Sequence, residues 1–145
     1  MNEYNKAIKE LSRLNHIFDP EVDYDPDFQE LTYEIVESFK QYQNPNDTIR
    51  PILECFERQP TSEYGIHAEF FAFVEYLDAK QVEKEVLESI NRKPVPQTVW
   101  ILKMFINSEG FDDKDNYWRL LYSISSSCEV DEETKGTAQM FLEQQ

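Results

Sequence analysis

Apolar residues recur at helical spacing along nearly the whole chain and predict eight helices. Tyr4, Ile8, Leu11 and Leu14 mark one side of a first helix over 2–16. Asp19-Pro20 stops it, because the residue before a proline avoids the helical region. After an acidic loop over 19–27, Phe28, Leu31, Ile35, Phe39 and Tyr42 form the stripe of a second helix. The turn Asn44-Pro45-Asn46-Asp47 leads into a third helix over 48–58. Asn46 or Asp47 is placed to cap it, and Pro51 is admitted in its first turn. A fourth helix covers 66–77, a fifth 79–92 and a sixth 97–107, with Pro94-Val95-Pro96 breaking the fifth. Asp112 or Asp113 is placed to cap a seventh, carrying Tyr117, Leu120, Leu121 and Ile124. Asp131 is placed to cap an eighth, whose buried positions are Ala138, Phe141 and Leu142.

The helices repeat. Ile52-Leu53-Glu54-Cys55-Phe56-Glu57-Arg58-Gln59-Pro60 aligns with Val86-Leu87-Glu88-Ser89-Ile90-Asn91-Arg92-Lys93-Pro94, 34 residues on. The same step again reaches Leu120-Leu121-Tyr122-Ser123-Ile124, with the apolar positions kept and the Arg and Pro lost. A helical unit of this length predicts a helix-pair solenoid. The expected fold is therefore all-α: about eight helices in antiparallel pairs forming a short HEAT-like right-handed solenoid. Residues 1–145 read as one domain, with 1–45 a divergent N-terminal cap and 46–145 three helix pairs. The tetratricopeptide length fits too, but that motif's Trp, Gly and Tyr positions are missing. Solenoids of this kind act by presenting a surface, and usually lack a catalytic pocket.

Composition sharpens the picture. Ten Phe, eight Tyr and two Trp against three Gly argue against a sheet protein. The net charge of −15 argues against nucleic acid and anionic membrane as partners. Solubility accounts for such acidity, and so does docking on a basic partner, where opposite potentials speed association. The start of the chain shows no secretory signal, and the longest apolar run, 70–74, is far too short to span a membrane. The cytoplasm is the expected location, where Cys55 and Cys128 would be reduced, partly buried thiols.

Catalytic and metal chemistry finds little support. His67 lacks a ligand at i+3 or i+4, and Asp19, at i+3 from His16, lies past the end of the first helix, so neither builds a zinc site on one helix, and surface or partial burial explains both. Cys55 with either His could form a nucleophile–base pair, though nothing in the sequence joins them. Asp23, Asp25, Asp27 and Glu34 mimic the spacing of a calcium loop, but Phe28 stands where the turn needs Gly and Pro26 intrudes. A solvated acidic loop, or a contact for a basic partner, is the better reading. Phosphate-cradling and nucleophile-elbow motifs are missing. No catalytic residue, cofactor or metal ligand is expected, and the protein is read as a non-enzyme.

Binding has more in its favour. The fourth and sixth helices are apolar around most of their circumference, which means burial between neighbours or an exposed patch. The second helix of each pair would line the concave face and bring Glu69, Phe73, Tyr76 and Trp100 to a groove. Trp118 and Tyr122 lie at i, i+4 on the seventh helix, off its apolar stripe. Packing against the next pair would explain them. Aromatic anchors beside Asp112, Asp113 and Asp115 would equally suit an interface with a basic protein.

Several segments together carry a family resemblance: Tyr64-Gly65 opening a Phe-rich helix, and Pro96-Gln97-Thr98-Val99-Trp100-Ile101-Leu102. Tyr117-Trp118-Arg119-Leu120-Leu121 and the closing Val130-Asp131-Glu132-Glu133-Thr134-Lys135 complete the set. From about residue 49 onward the chain resembles the helical, HEAT-like immunity proteins of bacterial polymorphic-toxin and contact-dependent inhibition systems. The resemblance implies a small cytosolic protein that binds tightly and neutralises one cognate toxin domain, often a basic nuclease; the chain itself is expected to be a monomer or weak dimer. The alternative is a non-catalytic adaptor or scaffold that holds peptides or another protein in its groove.

Overall fold

The computed structural model describes residues 2–22 and 25–145. Among the described residues the regular structure is entirely helical, with eight α-helices joined by short turns. Asn2 opens α1 (Glu3–Ser12) by accepting from the Asn5 N–H at 2.8 Å, and a 3-10 turn at Arg13–His16 extends it. Asp25 caps α2 (Pro26–Lys40) through the N–H groups of Asp27 and Phe28, at 3.0 and 3.3 Å. Asp25 and Asp27 of the calcium-like series are thus engaged at a helix start, and Asp23 lies outside the described residues. The 3-10 turns Pro45–Thr48 and Tyr64–His67 lead into α3 (Ile49–Arg58) and α4 (Ala68–Tyr76).

Asp78 caps α5 (Ala79–Arg92), and Pro96 begins α6 (Pro96–Asn107), where a missing N–H costs nothing. The last two helices are α7 (Lys114–Ser126) and α8 (Glu132–Glu143), the latter capped by Asp131 through the Thr134 N–H at 3.1 Å. Two expected caps differ. Asp113 precedes α7 without a side-chain bond to it. Asn46 does not close α3 but accepts from the Asp78 N–H at 2.8 Å, tying the turn before α3 to the start of α5.

In backbone packing, α3 lies between α1 and α5, α2 lies against α4, and α6, α7 and α8 pack on one another. The tightest hairpin is α7–α8. Chain neighbours α3 and α4, which strict hairpin pairing would bring together, are separated by rings: Phe56 meets Phe71 at 5.5 Å and Phe70 at 6.1 Å. Phe39 meets Phe73 at 6.0 Å between α2 and α4. The heavy aromatic load fills the interior with large side chains and spaces the helices accordingly. One buried cluster runs continuously from Ala7 to Phe141. No helix among the described residues is long and apolar enough to cross a membrane.

Candidate partner-binding surface

A partly apolar trough lies between α4 and α6, whose backbones barely approach each other. Two adjoining cavities of about 200 and 320 Å³ share Glu75 and Met104 and form one groove. At one end Tyr64 stacks on Phe71, with ring centroids 4.7 Å apart and planes within 5°. Trp100 leans on Tyr64 at 5.1 Å and meets Phe141 edge-on at 4.7 Å. At the other end Phe111, stacked on buried Phe105 at 4.1 Å, closes the groove, and Val82 of α5 forms part of its floor. The sequence builds this end locally: Lys114 donates to the Phe105 and Ser108 carbonyls, each at 2.5 Å, capping α6 and drawing 109–113 into a tight return.

The predicted contact residues do not form one patch. Phe73 is only 2% exposed and belongs to the core, because its ring fills the space between α2 and α4. Its expected place in the groove is corrected. Tyr76, one turn on, is 69% exposed at the end of α4, and Glu69 is half-buried near its start. Trp100 is half-buried and lines the groove. Trp118 is half-buried too, with Lys103 Nζ 5.0 Å above its ring. Tyr122 is 65% exposed on α7. Asp112, Asp113 and Asp115 are exposed, the first two following Phe111 directly. Tyr64, Phe71, Met104, Phe111, Glu75 and Glu109 complete the groove and were missed. Ile66, Phe70 and Phe71 are buried, so most of the all-round apolarity of α4 is core packing.

Nucleophile and base candidates sit in inert surroundings. Cys55 is buried, and burial pushes its thiol up to about 12. Such a thiol is neither a nucleophile nor a metal ligand at neutral pH. Cys128 is exposed, contrary to the expected partial burial, because it lies in the turn between α7 and α8. His67 is fully buried, with Phe18, Phe28, Phe56 and Phe70 within about 6 Å of its ring. Burial lowers it to about 3, and its Nε2 has no hydrogen-bond partner. Among the described residues no group of three or more His, Cys, Asp or Glu side chains could hold a metal ion.

No protein-family model matches this chain, and neither a curated protein nor a solved structure is significantly similar to it.

Proposed function

We propose that this protein is a cytoplasmic immunity protein that binds and neutralises a cognate bacterial toxin domain, a basic nuclease, by direct contact. The observation that carries this reading is an aromatic groove on a chain of net charge −15, with Glu75 and Glu109 at its lining. Exposed aromatic side chains that bury well, beside charges that select a basic surface, are how tight and specific interfaces are built. We read the α1–α3–α5 row and the α2–α4 row beside it as the core of a short, HEAT-like right-handed solenoid, with α6, α7 and α8 closing one end. Neither nucleic acid nor anionic membrane is a partner in this reading, because both repel the chain's charge.

The test begins with the neighbouring gene. A secreted protein with a small basic C-terminal domain is expected there, and that domain should form a stable 1:1 complex and lose its toxicity on co-expression. Trp118→Ala, and Asp112, Asp113 and Asp115 together changed to Asn, should each weaken the complex. Weak binding to many extended peptides, with no single tight partner, would replace neutralisation by the adaptor reading.

A further inference from the structure

Over residues 1–93 the charge is sorted by helix row, while residues 94–145, with α6, α7 and α8, hold nine acidic and four basic residues. Segments 1–18, 41–58 and 79–93, which contain α1, α3 and α5, hold eight acidic and nine basic residues and are close to neutral. Segments 19–40 and 59–78, which contain α2 and α4, hold twelve acidic residues against a single lysine. Solubility alone needs no such sorting, since charge spread over the whole surface would serve equally. Part of it reflects helix starts, where Asp25 and Asp78 act as caps. Glu69 belongs to the first turn of α4, but Glu30, Glu34 and Glu75 lie beyond the helix starts, on exposed faces of α2 and α4.

The apolar groove sits at the border of this acidic row, with α4 as one wall. The lysine at the groove, Lys103, lies over the rings of Trp118 and Phe141 at 5.0 and 5.8 Å. The acids at the groove, Glu75 and Glu109, have no ion-pair partner among the described residues. The trough is therefore apolar within and anionic at its rim. Its two cavities, about 320 and 200 Å³, lie at and below the lower end of the range that organic ligands occupy, and each has room for individual side chains.

We infer that the α4–α6 groove receives a cationic amphipathic segment of another protein, which buries apolar side chains beside Trp100 and Phe111 and sets Lys or Arg against Glu75, Glu109 and the acids of α2 and α4. Resting on the proposal of a basic partner, this names the part of that partner that is bound: an apolar-anchored basic segment rather than a uniformly charged surface. A second copy of this chain is a poor occupant, because it would bring its own negative charge to the acidic row.

The chain has two tryptophans, so Trp118→Phe leaves Trp100 as a single fluorescent reporter in the groove. This variant is titrated with a helical Leu/Lys peptide, an isosteric Leu/Glu peptide and an oligolysine of equal charge. The Leu/Lys peptide should perturb Trp100 and bind at least tenfold more tightly than oligolysine, with affinity falling steeply as salt is added. The Leu/Glu peptide should not bind. On this background Glu75→Lys should weaken Leu/Lys binding at least tenfold, while Glu88→Lys on α5, the same charge change on the neutral row, should cost less than twofold. Equal losses in the two variants, equal affinity for oligolysine, or binding of Leu/Glu would overturn the inference. The toxin domain separates the two proposals. Peptide selectivity without toxin binding leaves the groove assignment standing and removes the immunity reading. Toxin binding that Glu75→Lys leaves unchanged, compared in the chain that keeps Trp118, does the reverse.

Discussion

Tyr117 of α7 donates its hydroxyl hydrogen to the carboxylate of Glu83 on α5, 34 residues earlier in the chain. That separation equals one sequence repeat, so the bond joins successive units at equivalent depth. The tyrosine is fully buried and the carboxylate half-buried, which makes the pair costly to break from one side. Tyr117→Phe should lower unfolding free energy by about 1–2 kcal/mol. In a double-mutant cycle with Glu83→Gln, followed by urea denaturation, the losses should be less than additive. Full additivity would mean that the two side chains do not interact in solution.

Tyr42 repeats the arrangement nearer the N-terminus, donating to Glu10 at 2.5 Å. Burial first, and the bond to a carboxylate second, raise both phenols above their ordinary value near 10. A folded chain that holds these protons more tightly than the unfolded chain keeps the benefit below pH 10 and loses it as pH rises further. Stability should therefore fall above pH 10, and the fall should be shallower in Tyr42→Phe. A wild-type curve flat to pH 12 would contradict this.

His67 acts at the opposite end of the pH scale. Its proton affinity is lowered in the fold to about 3, while the unfolded chain takes up the proton near 6.5. Between those values the unfolded state binds more protons, so stability drops as pH falls through the window. The accumulated loss is up to about 4 kcal/mol. His67→Leu should flatten the profile between pH 6 and 4, whatever it does at pH 7. Parallel profiles for the variant and the wild type would assign the acid sensitivity to other groups.

Glu57 gathers three groups between α3 and α5. It accepts from Ser89 Oγ at 2.8 Å and from Arg92 at 2.9 Å, and its main-chain carbonyl accepts from Lys93 at 2.9 Å. Glu57→Ala should cost about 2 kcal/mol, because it leaves buried Ser89 without its acceptor. The Arg13–Glu34 pair, at 3.7 Å and with both side chains 55% exposed, should matter little. Arg13→Ala is expected to stay within about 0.5 kcal/mol of wild type by chemical denaturation.

The two cysteines should separate cleanly by alkylation. Iodoacetamide should modify Cys128 in the native protein and reach Cys55 only once the fold opens, because Cys55 is buried and its thiol is held protonated. Mass spectrometry of native and urea-treated samples reads this directly. Rapid double modification of the native protein would show that α3 opens easily.

Helix positions were legible in the sequence because proline and cap signals coincide with breaks in the apolar rhythm. Pro94 to Pro96 separates α5 from α6, and Asp131 caps α8 as its position suggested. The turn before α3 was legible at Asn44-Pro45-Asn46-Asp47, but not its 3-10 form over Pro45–Thr48; the 3-10 turn Tyr64–His67 overlaps the expected start of the fourth helix at Ile66 and was not legible. Phe73 and Tyr76 look equivalent as off-stripe aromatics, yet one is core and the other exposed. That difference depends on α2 lying alongside α4, which a one-dimensional pattern does not encode. Tyr64 was hidden in an apparent connection, although an aromatic beside a glycine at the mouth of a Phe-rich helix was a usable signal. The sorting of charge was in plain view, but it acquires meaning only once alternate helices are known to share a row.

Over residues 1–93 the row of α2 and α4 is far more negative than the row of α1, α3 and α5, and that asymmetry contributes an electric dipole moment. An approaching cationic body exerts a torque on it before any atoms meet, so encounters begin with the carboxylate side already turned forward. Added electrolyte should therefore delay arrival more than it shortens residence.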